Sequence, residues 1–172
     1  MLGCQMNVEE DLERLGFRKY GTLAWDRVAK EMRIIPDPDA QALGAQRFSV
    51  YAFVIGHTIV RIGKHEAAAK KRIDHRAHVI NQWYNDTLPP YDRLSDNEPP
   101  LWEAWFETYD CKGSVWCEAA LTIAPKLSLF TEPSAHASEI LERVEMALIA
   151  KFYPAINMET RRQDRLPRSS VI

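Results

Sequence analysis

Residues 49–64 read SVYAFVIGHTIVRIGK, and this stretch decides the fold. Residues 50–55 and 58–62 are rich in β-branched and aromatic side chains, which favour strands. Gly56-His57 lies between them and predicts a tight turn. Residues 66–73 then change to alanine, lysine and arginine, which favour helix. The stretch therefore predicts a β-hairpin followed by a basic helix.

A second, distant segment makes the pattern of the first more specific. Residues 145–157 read EMALIAKFYPAIN, with Glu145 before Leu148-Ile149, Pro154 and Asn157. Together the two segments resemble the GIY-YIG nuclease family. Residues 49–51 stand where the family has Gly-Ile-Tyr, residues 61–63 where it has Tyr-Ile-Gly, and Arg72-Ile73 where it has a helical Arg-Leu. The chain departs from the family at Ser49, which replaces the first glycine, and at Arg61, which replaces the second tyrosine.

The resemblance implies an α/β (α+β) fold with a small, mainly antiparallel three-stranded sheet flanked by helices. The hairpin supplies two strands, and residues 115–123 are predicted to form the third. Helices are expected over residues 66–83, 101–107 and about 138–153. We expect three parts in the chain: a helical N-terminal extension at 1–45, the nuclease domain at 46–158 and a basic tail at 159–172. Within the extension, the pattern over residues 17–35 leaves two interpretations open, a short strand near residues 23–25 and a helix over residues 27–33.

The resemblance also implies an active site. It assigns Tyr51 to the attacking water, Arg72 to the scissile phosphate and Glu145 to a Mg²⁺ or Mn²⁺ ion. Gly63 and Asn157 would support the site, and His75, one helical turn after Arg72, could assist. Arg61 cannot act as a base at neutral pH, but a guanidinium can bind phosphate. Lys71 competes with Arg72 for the phosphate, because the spacing from Gly63 is one residue longer than expected.

Each of these residues has an alternative interpretation from the sequence alone. Glu145 shares a helical stripe with apolar residues, so it needs either a metal or a salt bridge to a lysine or arginine. Tyr51 could be a strand tyrosine that packs across the hairpin. Arg72 and His75 could be solvated residues of a helix surface.

Charge is distributed unevenly along the chain, although its net value is only −2. Basic residues crowd the hairpin and its helix, and a second group follows Asn157: Arg61, Lys64, Lys70, Lys71, Arg72 and Arg76, then Arg161, Arg162, Arg165 and Arg168. A basic face is what contact with a phosphate backbone requires. We therefore expect Lys64, Lys70, Lys71 and Arg76 to bind nucleic acid, with DNA as the partner and RNA left open.

Composition places limits on the class of protein. At 172 residues the chain suits one domain with a real core. Three cysteines (Cys4, Cys111 and Cys117) are too few for a disulfide scaffold, which favours a reducing, cytoplasmic location. The sequence contains no stretch long enough to cross a bilayer, so we expect no membrane partner. A single site in each chain fits either a monomer or a homodimer.

The sequence thus predicts a metal-dependent endonuclease that hydrolyses DNA phosphodiester bonds. Because Arg61 replaces a tyrosine, the first alternative is a degenerate member of the fold that binds nucleic acid without cutting it. The near-neutral net charge supports a second alternative, an interaction domain with no nucleic-acid role.

Overall fold

Five antiparallel strands form one sheet in the computed structural model, which describes residues 7–90, 94, 97–129 and 135–158. The strands are β1 (Arg18–Asp26), β2 (Glu31–Pro36), β3 (Ser49–Ile55), β4 (Thr58–His65) and β5 (Lys112–Ala119). Their order across the sheet is β2-β1-β5-β3-β4. The prediction of three strands was therefore too low, since two further strands come from the N-terminal part of the chain.

Helices cover both faces of this sheet. They are α1 (Val8–Arg14), α2 (Gln41–Gly44), α3 (Ala69–Tyr84), α4 (Glu98–Thr108), α5 (Ala120–Ile123) and α6 (Ala137–Phe152), with a 3₁₀ turn at Ala124–Leu127. The helices predicted after the hairpin, after Pro99-Pro100 and before Pro154 are all present. Asn7 caps α1, and its side-chain oxygen accepts a hydrogen bond from the Glu9 amide at 3.2 Å.

The hairpin of β3 and β4 forms as the sequence predicts. Gly56 in its turn has a φ of +61°, a conformation that glycine adopts without a Cβ clash. All seven residues of β3 are buried, because this strand lies between β5 and β4 with helices above and below it. The most hydrophobic strand of the chain is thus a central strand, as expected for a run with little polar alternation.

The region before the hairpin differs from the prediction of a helical extension. Of the two interpretations left open there, the strand near residues 23–25 is present as part of β1, whereas residues 27–30 form a turn and β2 follows in place of a helix. The Asp26 carboxylate accepts hydrogen bonds from the Val28 and Ala29 amides at 2.9 Å each, which closes the turn and lets the chain reverse. β1 then pairs with both β2 and β5, so residues 18–36 belong to the same sheet as the hairpin.

The third predicted strand is shorter than expected. β5 ends at Ala119, and residues 120–123 form α5. Ala120 and Ile123 are buried while Leu121 is exposed, and this three-residue spacing of buried positions is helical. The β-branched residues at 122 and 123 favoured strand in the sequence, but packing against α6 decides their conformation.

Two hydrophobic cores lie on opposite faces of the sheet. One contains Tyr51, Phe53 and the inner sides of α3 and α4, and the other contains Val50, Ala52, α1, α5 and α6. Successive β3 residues alternate between the two, as the pleat requires. Among the described residues, no helix is both long and apolar enough to span a bilayer. The predicted basic tail (159–172) and Cys4 lie outside the described part of the chain.

An asparagine covers the outer edge of each edge strand. On β4, Asn157 accepts a hydrogen bond from the Ile62 amide at 2.7 Å and donates one to the Ile62 carbonyl at 2.9 Å. On β2, Asn81 makes the same pair of hydrogen bonds with Met32, at 2.7 and 2.9 Å. Each side-chain amide therefore replaces the backbone partner that an edge strand lacks.

Candidate active site

Strand β4 carries the second family motif, and its pleat separates the motif residues between the two faces. Arg61 pairs across the hairpin with Phe53, and Gly63 pairs with Tyr51, so all four lie on the face covered by α3 and α4. Lys64 pairs with Val50, which belongs to the opposite core. The motif therefore contributes to both sides of the sheet near the end of β4.

Tyr51 is packed into the space that Gly63 leaves open. Only 1% of Tyr51 is exposed, and its ring meets Phe53 edge-to-face with centroids 5.6 Å apart. A Cβ atom at position 63 would overlap the Tyr51 hydroxyl and ring, so no larger residue fits there without displacing the tyrosine. The packing agrees with the alternative of a strand tyrosine, and it fixes the hydroxyl against the backbone of the motif.

Arg61 and Arg76 meet at the same carboxylate, that of Glu98 at the start of α4. Glu98 Oε1 accepts hydrogen bonds from Arg61 Nη1 at 3.0 Å and from Arg76 Nη1 at 3.1 Å. Arg76 is only 6% exposed, so it lies inside the fold and not on the nucleic-acid-binding surface where the sequence analysis expected it. Arg76 can be buried there because its guanidinium, on α3, meets the Glu98 carboxylate of α4.

The pKa of Arg76 depends on burial and on the charged groups around its guanidinium. Burial, together with the positive charge of Arg61, lowers the pKa of Arg76 to about 10. Glu98 and Tyr51 oppose that shift, while Arg72 adds to it. Tyr51, Arg61 and Arg72 therefore each lie within electrostatic range of Arg76, which stays protonated at neutral pH.

Arg72 also acts on a histidine that the sequence analysis did not select. His65, the last residue of β4, is half-buried, and burial lowers its pKa below the ordinary value. Arg72 and Lys71 lower the pKa further, Glu66 opposes the shift, and His75 adds to the lowering. The His65 imidazole is therefore neutral at pH 7, within a group of positive charges.

Glu145 lies on α6 and meets Lys64 from the other side of β4. Lys64 Nζ is 3.2 Å from Glu145 Oε2 and also contacts the carboxylate of Glu142. This is the salt bridge that the alternative interpretation of Glu145 required. The Glu145 side chain is 17% exposed, between the buried Leu141 and Leu148 of its stripe.

These two carboxylates are also a reasonable set of ligands for a divalent ion. Both approach one cation, the Lys64 ammonium, and both offer the hard oxygen atoms that Mg²⁺ prefers. Within residues 7–90, 94, 97–129 and 135–158, no group of three or more His, Cys, Asp or Glu side chains is placed to hold a metal. A magnesium ion that keeps several waters needs only one or two carboxylates, so the residues present fit such an ion.

The remaining predicted residues occupy different positions around the site. Asn157 is buried and binds the β4 backbone at Ile62, between Arg61 and Gly63. Lys70 and Lys71 are exposed at the beginning of α3, where Lys70 Nζ is 4.0 Å from Asp74. His75 is half-buried on the same helix.

Glu98 is a residue of the site that the sequence motifs did not predict. The usable signal was elsewhere: an arginine in a hydrophobic strand and another on the inner stripe of a helix both require a carboxylate. Sequence spacing cannot say which carboxylate meets them, since Glu98 is 37 residues from Arg61.

The fold is similar to that of a known nuclease, although no protein-family profile matches the sequence and no curated protein matches it. A mutant of EndoII of bacteriophage T4, a GIY-YIG nuclease, superposes with a TM-score of 0.54 and 18% identity over 87% of this chain and 97% of that chain. Restriction endonuclease HPY188I in complex with product DNA gives a TM-score of 0.44 and 16% identity over 95% of this chain and 85% of that chain. The chain thus has a GIY-YIG-like nuclease fold, which confirms the resemblance predicted from its two motifs.

Proposed function

We propose that this protein is a metal-dependent DNA endonuclease that hydrolyses phosphodiester bonds. The observation that carries the proposal is the coincidence of motif and fold. The residues that resemble the GIY-YIG motifs stand on the hairpin and α3, and the fold is similar to that of a GIY-YIG nuclease over 87% of this chain. Fold alone does not define chemistry, so the proposal depends on the side chains at that hairpin.

Positive charge suits these side chains to phosphate. Arg72 binds the scissile phosphate, and its guanidinium neutralises charge that grows on the phosphate oxygens in the transition state. Arg61 provides a second guanidinium on the same face of the sheet. The neighbouring phosphates are contacted by three lysines. Lys64 is half-buried beside Gly63, and Lys70 and Lys71 are exposed on α3.

Tyr51, His65 and His75 are the groups that can handle a proton. Tyr51 orients the attacking water through its hydroxyl, which Gly63 leaves room for. His65 is neutral at pH 7 beside Arg72, so it can accept a proton where an arginine cannot. His75 adds a second imidazole one helical turn from Arg72.

Glu145 would hold a Mg²⁺ or Mn²⁺ ion, with Glu142 beside it. A bound divalent ion supplies Lewis-acid polarisation of the phosphate and stabilises the leaving oxygen. Asn157 and Gly63 do not touch substrate in this proposal. They hold the β4 backbone and the Tyr51 ring in register.

A second candidate is a nucleic-acid-binding protein of the same fold that does not cut. The specific observation in its favour is that Glu145 is already neutralised by Lys64 and Arg61 by Glu98. A Glu145 that is paired with Lys64 holds no metal, while Lys70 and Lys71 on the surface of α3 still offer positive charge to DNA.

Nicking of supercoiled plasmid tests the two candidates together. With Mg²⁺ or Mn²⁺, we expect the wild-type chain to nick and linearise the plasmid, and Glu145→Ala or a chelator to abolish this. Glu139→Ala is the matched control, because Glu139 is exposed on the same helix. Salt-dependent duplex binding without nicking would favour the second candidate. If the chain neither nicks the plasmid nor binds duplex DNA, both candidates are overturned.

A further inference from the structure

A buried cluster of charged side chains lies at the start of α4, around the carboxylate of Glu98. Glu98 is 3% exposed, and its Oε1 atom accepts from three donors: Arg61 Nη1 at 3.0 Å, Arg76 Nη1 at 3.1 Å and Trp102 Nε1 at 3.2 Å. Trp102 lies one turn further along α4 and is fully buried. The tryptophan therefore fixes the carboxylate, and the carboxylate holds two arginines that come from different elements.

The cluster has a surplus of one positive charge. Two guanidinium groups meet one carboxylate, and Arg76 stays protonated at neutral pH although burial lowers its pKa to about 10. The Nε atoms of Arg61 and Arg76 are buried, and neither has a hydrogen-bond partner in the described part of the chain. Buried positive charge with unused donors is unfavourable unless an anion approaches it.

The two arginines differ in access to solvent. The Arg61 side chain is 15% exposed and the Arg76 side chain 8%, so Arg61 is the member that a ligand can reach. Arg61 lies on the same face as Tyr51, and Arg72 is within electrostatic range of the cluster. An anion that reaches Arg61 therefore also approaches the residues to which we assign the phosphate.

We propose that Glu98 is a positioning residue: it fixes the Arg61 guanidinium so that the remaining donors of Arg61 bind a phosphate oxygen of the substrate, with Arg76 supporting the carboxylate from behind. This inference rests on the proposed function for the identity of the anion. A guanidinium whose orientation is fixed loses less freedom when it binds phosphate, which is the physical gain. The arginine that replaces the family's second tyrosine thus depends on a carboxylate from α4.

A purely structural role for Glu98 makes a different prediction. If the cluster only attaches α4 to the sheet, removing the Glu98 charge lowers stability, and its effect on catalysis is independent of Arg61. If Glu98 acts through Arg61, its effect on catalysis disappears once Arg61 is gone. A double-mutant cycle separates these two cases.

The cycle uses Glu98→Gln, Arg61→Met and the double variant in the full chain. We expect each single variant to lower kcat about 10²-fold with KM changed less than about threefold, and the double variant to match Arg61→Met within about twofold. Glu103→Gln is the matched control, because Glu103 is also on α4 and its carboxylate binds Lys30 and Tyr84 away from the site. Its kcat should stay within about twofold of the wild-type value.

Either of two results would overturn the inference. One is an unchanged kcat in Glu98→Gln, and the other is a loss of kcat in the double variant of about 10⁴-fold, the product of the two single losses. If the wild-type chain does not cut, the endonuclease proposal fails, and the same cycle is then measured as the dissociation constant of a DNA duplex at fixed salt. There we expect each single variant to weaken binding about tenfold without further loss in the double variant, and unchanged binding in both singles overturns the inference. If Glu98→Gln does not fold by circular dichroism, Glu98→Asp replaces it, since it keeps the charge but shortens the reach.

Discussion

The asparagines at the two edges of the sheet provide a direct test of how β4 is held in place. Asn157 on β4 and Asn81 on β2 each make one hydrogen bond of 2.7 Å and one of 2.9 Å to a single backbone residue. The two backbone residues, Ile62 and Met32, are each 1% exposed. Truncation of either asparagine to alanine therefore leaves an amide and a carbonyl without their partner.

The expected destabilisation follows from those two groups. A buried donor or acceptor that loses its partner costs about 1–3 kcal/mol, so two such groups give about 2–6 kcal/mol. Both strands are at an edge of the sheet, where water can satisfy part of the loss, and we expect about 2–4 kcal/mol for each variant. Asn81 is less buried than Asn157, so Asn81→Ala should lie at the lower end.

The two variants should differ in activity although they are similar in stability. β4 carries Arg61, Gly63 and Lys64, whereas β2 carries none of the residues assigned to the site. A displacement of about 1 Å at catalytic groups can lower the rate about 10²-fold. We therefore expect Asn157→Ala to nick plasmid far more slowly than Asn81→Ala under conditions where both variants are folded.

Urea unfolding followed by circular dichroism measures the stability part. With an m value of about 2 kcal/mol/M, the midpoint should fall by about 1–2 M in both variants. Plasmid nicking at low denaturant measures the activity part. The reasoning is refuted if Asn157→Ala costs less than about 1 kcal/mol, or if Asn81→Ala reduces nicking as much as Asn157→Ala does.

Three further outcomes are expected. Gly63→Ala should lower thermal stability by about 1–3 kcal/mol and slow nicking, because the new Cβ overlaps buried Tyr51; an unchanged melting curve would contradict this packing. NMR titration of His65 should give a pKa below that of an ordinary histidine, and Arg72→Gln should raise that pKa. Because the folded state favours the neutral imidazole, this contribution to stability is fully present above about pH 6.5 and is lost as pH falls through the lowered pKa. Lys64→Met should bind Mn²⁺ about tenfold more tightly in calorimetry, because the ammonium no longer competes for Glu142 and Glu145; equal or weaker binding would argue against these ligands.

Local pattern was sufficient for the elements whose burial follows from their own residues. The run at 50–55 is hydrophobic at every position and became the buried central strand, and the turn glycine at position 56 has the φ that a tight turn needs. The helix predictions near α3, α4 and α6 succeeded for the same reason, because apolar residues at helical spacing form one face that the fold buries.

Pattern failed where long-range contacts decide the conformation. Residues 17–35 have mixed propensities that left strand and helix both open, and the Asp26 turn and pairing with β1 decide for strand. The same holds for residues 120–123, which continue a β-rich run but pack as a helix on α6. In both cases tertiary context outweighs a weak intrinsic preference.

The candidate site divides in the same way. The sequence by itself determined the motif residues on the hairpin, on α3 and on α6, since their types and order are local properties of the chain. Only the tertiary structure decided which carboxylate meets which cation: Glu98 with Arg61 and Arg76, and Glu145 with Lys64. The physical reason is that a buried charge requires a partner but does not specify one, and the partner is selected by how the sheet and helices pack.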